Sequence, residues 1–105
     1  MQALPTGTSA VLEATPSNLI SGRKTVTVAG TPVALATSTP ILGVTIKALR
    51  TNTNNIYVGG ATVSSSTGLV LRRGASVSLA FDNLADIYIN ADTSGEGVTY
   101  LAVNT

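Results

Sequence analysis

Histidine, cysteine and tryptophan are all missing from this chain, and charged side chains make up only 10% of its 105 residues. Each absence removes a class of chemistry. Without histidine there is no side chain whose ordinary titration falls between about pH 5 and 8, the usual general acid or base of an enzyme. Without cysteine there is no disulfide framework and no thiolate nucleophile, so packing alone must hold the fold. A net charge of +1 supplies no long-range field for capturing a polyanion. No stretch approaches the roughly 18 apolar residues of a membrane-crossing helix, and the opening MQALPTGTSAVLEATPSN lacks a basic n-region and a long apolar h-region. The expectation is a soluble protein without a signal peptide, with no membrane and no nucleic acid among its partners, and with no cofactor or metal.

In place of charge stands the hydroxyl group. The chain carries 16 Thr and 10 Ser, backed by seven Asn, where an average domain is about 25% charged. Threonine's branched Cβ suits a pleated strand and is poor inside a helix. The length allows one domain with one core.

Residues 1–21 contain Pro5, Gly7 and Pro16 among small polar residues, with apolar side chains scattered at Leu4, Val11, Leu12, Leu19 and Ile20. An extended N-terminal arm is expected there, since a helix over Ala10–Ala14 would be too short to stand unaided in water. Residues 22–105 are expected to form the folded domain. There the apolar residues alternate with period two, as half-buried strands require. Val26 and Val28 lead to a turn at Gly30-Thr31-Pro32, and Val33 and Leu35 begin again. Leu42, Val44, Ile46 and Ala48 form an inward row, the longest strand signal. Ile56-Tyr57-Val58 follows the Asn-rich connection at Asn52–Asn55. Short strands at 61–64 and 69–71 are expected to flank a Ser-rich hairpin loop at 65–68. Val77, Leu79 and Phe81, then Ile87 and Ile89, then Val98 to Val103 complete the series, with Phe81 assigned to the core. Short strands about ten residues apart point to a sandwich or barrel. The fold expected is all-β, an antiparallel β-sandwich of jelly-roll-like type with strand order left open.

Little in this sequence can perform chemistry. Asp82 and Asp86 lie close enough for a carboxylate pair of the kind that hydrolyses glycosides, but Asp82-Asn83 and Asp86 read better as turn caps. Asp92, Ser94 and Glu96 alternate as calcium ligands can, yet lack the fixed spacing and carboxylate count of an EF-hand loop, so a solvated turn is favoured. No serine has a histidine partner or a G-x-S-x-G setting. The chain is therefore expected not to be an enzyme. Arg23-Lys24 and Arg72-Arg73 are the only paired cations, too few and too poor in aromatic neighbours for a nucleic-acid surface. Arg72 and Arg73 suit an intersubunit contact or a solvated turn equally.

The run Asn54-Asn55-Ile56-Tyr57-Val58-Gly59-Gly60, followed by Val63-Ser64-Ser65-Ser66-Thr67-Gly68-Leu69-Val70-Leu71 and Arg73-Gly74-Ala75-Ser76-Val77-Ser78-Leu79, with Ile87-Tyr88-Ile89 beyond, resembles a pattern of small tailed-bacteriophage virion proteins. The resemblance covers about residues 41–103. It implies a β-sandwich of the virion: a capsid decoration or cement protein, a head-fibre base, or a tail or baseplate component, with the major capsid protein or other virion proteins as partners. Tyr57 and Gly59 would be structural, and no catalytic residue is carried over. Arg73-Gly74 stands where relatives often have Pro-Gly. Marginal stability of an isolated small sandwich and strand edges with few charges imply a homo-oligomer, a trimer being the first expectation. Leu12, Leu19, Ile20, Arg72 and Arg73 are the candidate interface residues. A carbohydrate-binding module is the rival from another class, with Tyr57, Tyr88 and Tyr100 as its platform, although their packing at the core boundary is the commoner role.

Overall fold

The computed structural model describes residues 15–105 and is all-β, with eight strands and one 3-10 turn among those residues. Strand β1 spans Asn18–Thr25, β2 Val33–Ala34, β3 Gly43–Ala48, β4 Ile56–Gly59, β5 Leu69–Leu71, β6 Ser76–Leu79, β7 Tyr88–Ala91 and β8 Gly97–Asn104; the 3-10 turn Leu84–Asp86 precedes β7. They build two four-stranded sheets, sheet I in the order β1-β8-β3-β6 and sheet II in the order β2-β7-β4-β5. Every pairing is antiparallel.

Period-two patterning explains which faces meet. In β3, Val44, Ile46 and Ala48 are buried while Thr45 and Lys47 are exposed, as strand geometry requires. The register sets Val44 beside Ala102 and Leu79, and Ile46 beside Tyr100 and Val77. Sheet II contributes Ile56, Val58, Leu71, Ile89 and Ala91 to the same apolar cluster. Two sheets thus share one core in a sandwich-like arrangement. Ile46, Ile56, Leu84, Ile89 and Val98 are fully buried, each contributing about 1.5–3 kcal/mol on burial.

The strand β8 defines two ends, which we call the Gly97 end and the Asn104 end. Strands β1 and β3 run antiparallel to it, so Thr25 and Ala48 lie at the Gly97 end. The connections at residues 49–55, 72–75 and 92–96 bring Ile56, Leu71 and Ala91 there too.

Three local expectations change. The arm expected over residues 1–21 overlaps the sheet, because β1 begins at Asn18 and pairs along its whole length with β8. Ile20 faces Ala102 and packs against the core; a strand beside β8 satisfies backbone groups that an arm would leave to water. Leu12 and the rest of residues 1–14 lie outside the described residues. The hairpin expected across 61–71 does not form. Leu69–Leu71 pairs instead with β4, and residues 60–68 fold over the outer face of sheet II, where Val63 is buried against Tyr57 and Gly59. Ser64 and Thr67 close that loop on itself, Gly68 N–H donating to the Ser64 carbonyl at 2.9 Å. Phe81, assigned to the core, is 44% exposed, since β6 ends at Leu79 and the alternation stops with it.

Candidate functional site

The most constrained polar cluster sits at the Gly97 end and is built from two loops. Asn52 is buried, donates its amide to the Gly97 carbonyl at 2.9 Å and accepts from Gly97 N–H at 3.2 Å. Its side chain therefore imitates a neighbouring strand. On its other side Gly97 permits the close approach of β1, since a Cβ there would collide with the Lys24 carbonyl and Thr25 backbone. Next to it the Glu96 carboxylate accepts from Thr53 N–H at 2.5 Å, the Thr53 hydroxyl at 2.7 Å and Asn54 N–H at 3.1 Å. Burial alone would raise the carboxyl's pKa, but the bonds from Thr53 and Asn54 outweigh it and hold the group below its ordinary value. Glu96 is thus neither a solvated turn residue nor a calcium ligand in waiting; both its oxygens are engaged in joining the β3–β4 loop to the β7–β8 loop.

The remaining carboxylates among the described residues are also structural or exposed. Asp92 accepts the Tyr57 hydroxyl at 2.6 Å, and this bond, with burial second, raises the phenol's pKa. Beside Tyr57 the buried Asn90 donates to the Val63 carbonyl at 3.0 Å and so fastens the loop over sheet II. At the other end, of the residues expected to cap a turn, Asp82, Asn83 and Asp86, it is Asn83 that supplies the cap. Its Oδ1 accepts from Ala85 N–H and Thr39 N–H, both at 2.9 Å, and its amide donates to Ser38. Asp82 and Asp86 are exposed on either side of it.

The tyrosine platform is not assembled. Register places Tyr57 and Tyr88 on the outer face of sheet II, whereas Tyr100 lies opposite Ile46 on the inner face of sheet I. Tyr57 is buried and its hydroxyl taken. No single surface presents all three rings to a sugar.

Two of the remaining surfaces carry candidate interface residues. Arg72 and Arg73 are exposed in the turn after β5, where Ala75 N–H donates to the Arg72 carbonyl at 2.8 Å and Gly74 adopts φ of 79°. That is the pattern of a type II turn, with glycine supplying the positive φ at the third position. Together with Thr53, Asn54 and Asn55 the two arginines line an open polar hollow of about 380 Å³. The second surface is the outer face of sheet I toward the Asn104 end. Leu19, 70% exposed, pairs directly with Val103, and Leu101, 48% exposed, lies between Ser21 and Thr45. Gly43 leaves a shallow depression beside Leu101, Val103 and Ser78. Of the candidate interface residues, Leu19 joins this patch, Ile20 faces the core, and Arg72 and Arg73 stand at the opposite end. Leu101 and Val103 were missed as surface residues, although their odd spacing against Val98 and Ala102 was the signal. Comparison with protein-family models, with curated proteins and with solved structures finds no match.

Proposed function

We propose that this chain is a structural module of a bacteriophage virion, a capsid decoration or cement protein that packs as a homo-oligomer against the major capsid protein. The observation that carries the reading is the outer face of sheet I toward the Asn104 end, where Leu19, Leu101 and Val103 stand beside the hydroxyl side chains of Ser21 and Thr45, while Arg23 and Lys47 lie on the same face nearer the Gly97 end. Exposed apolar side chains gathered on a sheet face mark a protein contact. The strand order supports the jelly-roll form of the reading. Eight strands divide into two four-stranded sheets with the first beside the last, and every connection except β4–β5 crosses between sheets, an arrangement that favours the jelly-roll reading, a frequent capsid architecture. The engaged carboxylates of Asp92 and Glu96 favour a structural over a catalytic role.

Sedimentation of the full chain and of Leu101→Asp tests this reading. The native protein is expected to sediment as an oligomer, a trimer first, and the variant as a folded monomer, because a buried unpaired carboxylate opposes association. A native protein that stays monomeric at its highest soluble concentration overturns the proposal.

A further inference from the structure

All six cationic residues lie toward the Gly97 end, although they are scattered through the sequence. Arg23 and Lys24 approach the end of β1 opposite Thr99 and Val98. Lys47 lies opposite Thr99 on β3, Arg50 follows in the next loop, and Arg72 and Arg73 form the turn after β5. Five are exposed and Lys24 is half-buried. The carboxylates among the described residues do not balance them. Asp82 and Asp86 follow β6 at the Asn104 end, Asp92 is bonded to Tyr57, and Glu96 is buried under Thr53 and Asn54. A net charge of +1 therefore conceals a strongly positive end.

Within that end three guanidinium-bearing side chains gather around one turn. A methyl group at Gly74 would lie 3.6 Å from Arg50 Cγ and 3.8 Å from one of its terminal nitrogens. Arg72 and Arg73 flank the same turn and open onto the polar hollow. The hydrogen bonds of the facing loop run among Thr53, Asn54, Thr93 and Glu96, with no guanidinium among their partners.

We infer that the Gly97 end is a docking site for a carboxylate-rich protein segment, with Arg72 and Arg73 as its principal contacts and Arg50 in support. The planar guanidinium matches a carboxylate with two parallel hydrogen bonds, and unbalanced positive charge draws an acidic partner in. Single-stranded nucleic acid would also need aromatic stacking platforms. None stands there: Tyr88 and Phe81 lie toward the Asn104 end, the Tyr57 hydroxyl is bonded to Asp92, and Tyr100 faces inward. The site is separate from the Leu19–Leu101–Val103 patch, so it stands or falls independently of self-association.

Fluorescence anisotropy of the full chain with a labelled oligoglutamate peptide tests it. The native protein is expected to bind at low salt and release the peptide as salt is raised. Arg72→Gln/Arg73→Gln is expected to weaken binding by about fivefold or more, the modest scale of exposed ion pairs. Asp82→Asn at the far end leaves binding unchanged. Arg50→Gln, on the other side of the turn, weakens binding as well and repeats the test with an independent substitution, while melting curves show that each variant folds. Absence of peptide binding by the native protein at low salt, equal affinity in the folded double variant, or tighter binding of a single-stranded oligonucleotide of equal charge each overturns the inference.

Discussion

Replacing Glu96 by glutamine removes one charge and turns one carboxylate oxygen into an amide donor, with almost no change of shape. The carboxylate serves three donors, two from Thr53 on one oxygen and Asn54 N–H on the other. Glutamine has one acceptor oxygen, so at least one backbone N–H must face another donor. A hydrogen bond to a charged group contributes about 1.5–3 kcal/mol, and since only a thin loop covers this one, the lower figure of about 1.5 kcal/mol applies. For a domain of this size that corresponds to a fall in Tm of roughly 6–12 °C. The pH dependence gives a second readout. Because the folded state depresses the Glu96 pKa below 4.5, its contribution is present above pH 4.5 and is lost as pH falls through the folded value. Urea unfolding of both proteins should therefore show a gap at neutral pH that closes in acid. A gap below about 0.5 kcal/mol at pH 7, or one undiminished near pH 3, refutes the assignment.

Two further substitutions probe the core and the loop over sheet II. Ile46→Ala, at a fully buried position on β3, is expected to cost about 2–5 kcal/mol in urea unfolding; a cost below that range would mean that the sheets do not close over this row. Tyr57→Phe loses the bond to Asp92 and is expected to cost about 1.5 kcal/mol near neutral pH. Since the folded phenol titrates above 10.0, this stabilisation is present below pH 10.0 and is lost as pH rises through the folded value. Ultraviolet titration should show a late phenolate transition that is missing from the variant.

The all-β class and the main core strands were legible because one face is buried and the other wet, which forces alternation in Val44–Ala48 and its like. What was not legible depended on contacts distant in sequence. Val63 alternates with polar neighbours and so imitates a strand, yet it is buried by folding back over Tyr57, a packing choice that no local pattern records. Leu19 and Ile20 sit among Ser, Asn and Pro, a composition that suits an arm; pairing with β8 makes them a strand. Glu96 looked like a solvated loop residue because its donors, Thr53 and Asn54, lie more than forty positions away.

The sorting of charge follows from the same strand count. In this antiparallel fold β1, β3 and β5 all run toward the Gly97 end, and the chain's cations sit near or just beyond the ends of those three strands. Strand β6 runs the other way, and Asp82 and Asp86 follow it. A residue's end of the sandwich is therefore fixed by whether an odd or an even number of strands precedes it. A strand at residues 61–64, as the alternation suggested, would reverse that parity and send Arg72 and Arg73 to the end opposite Arg50. The six cations would then be dispersed, and the small net charge would describe the surface fairly. Because residues 60–68 form a loop instead, the fold collects the cations, and the loop that covers Tyr57 also determines at which end of the sandwich Arg72 and Arg73 stand.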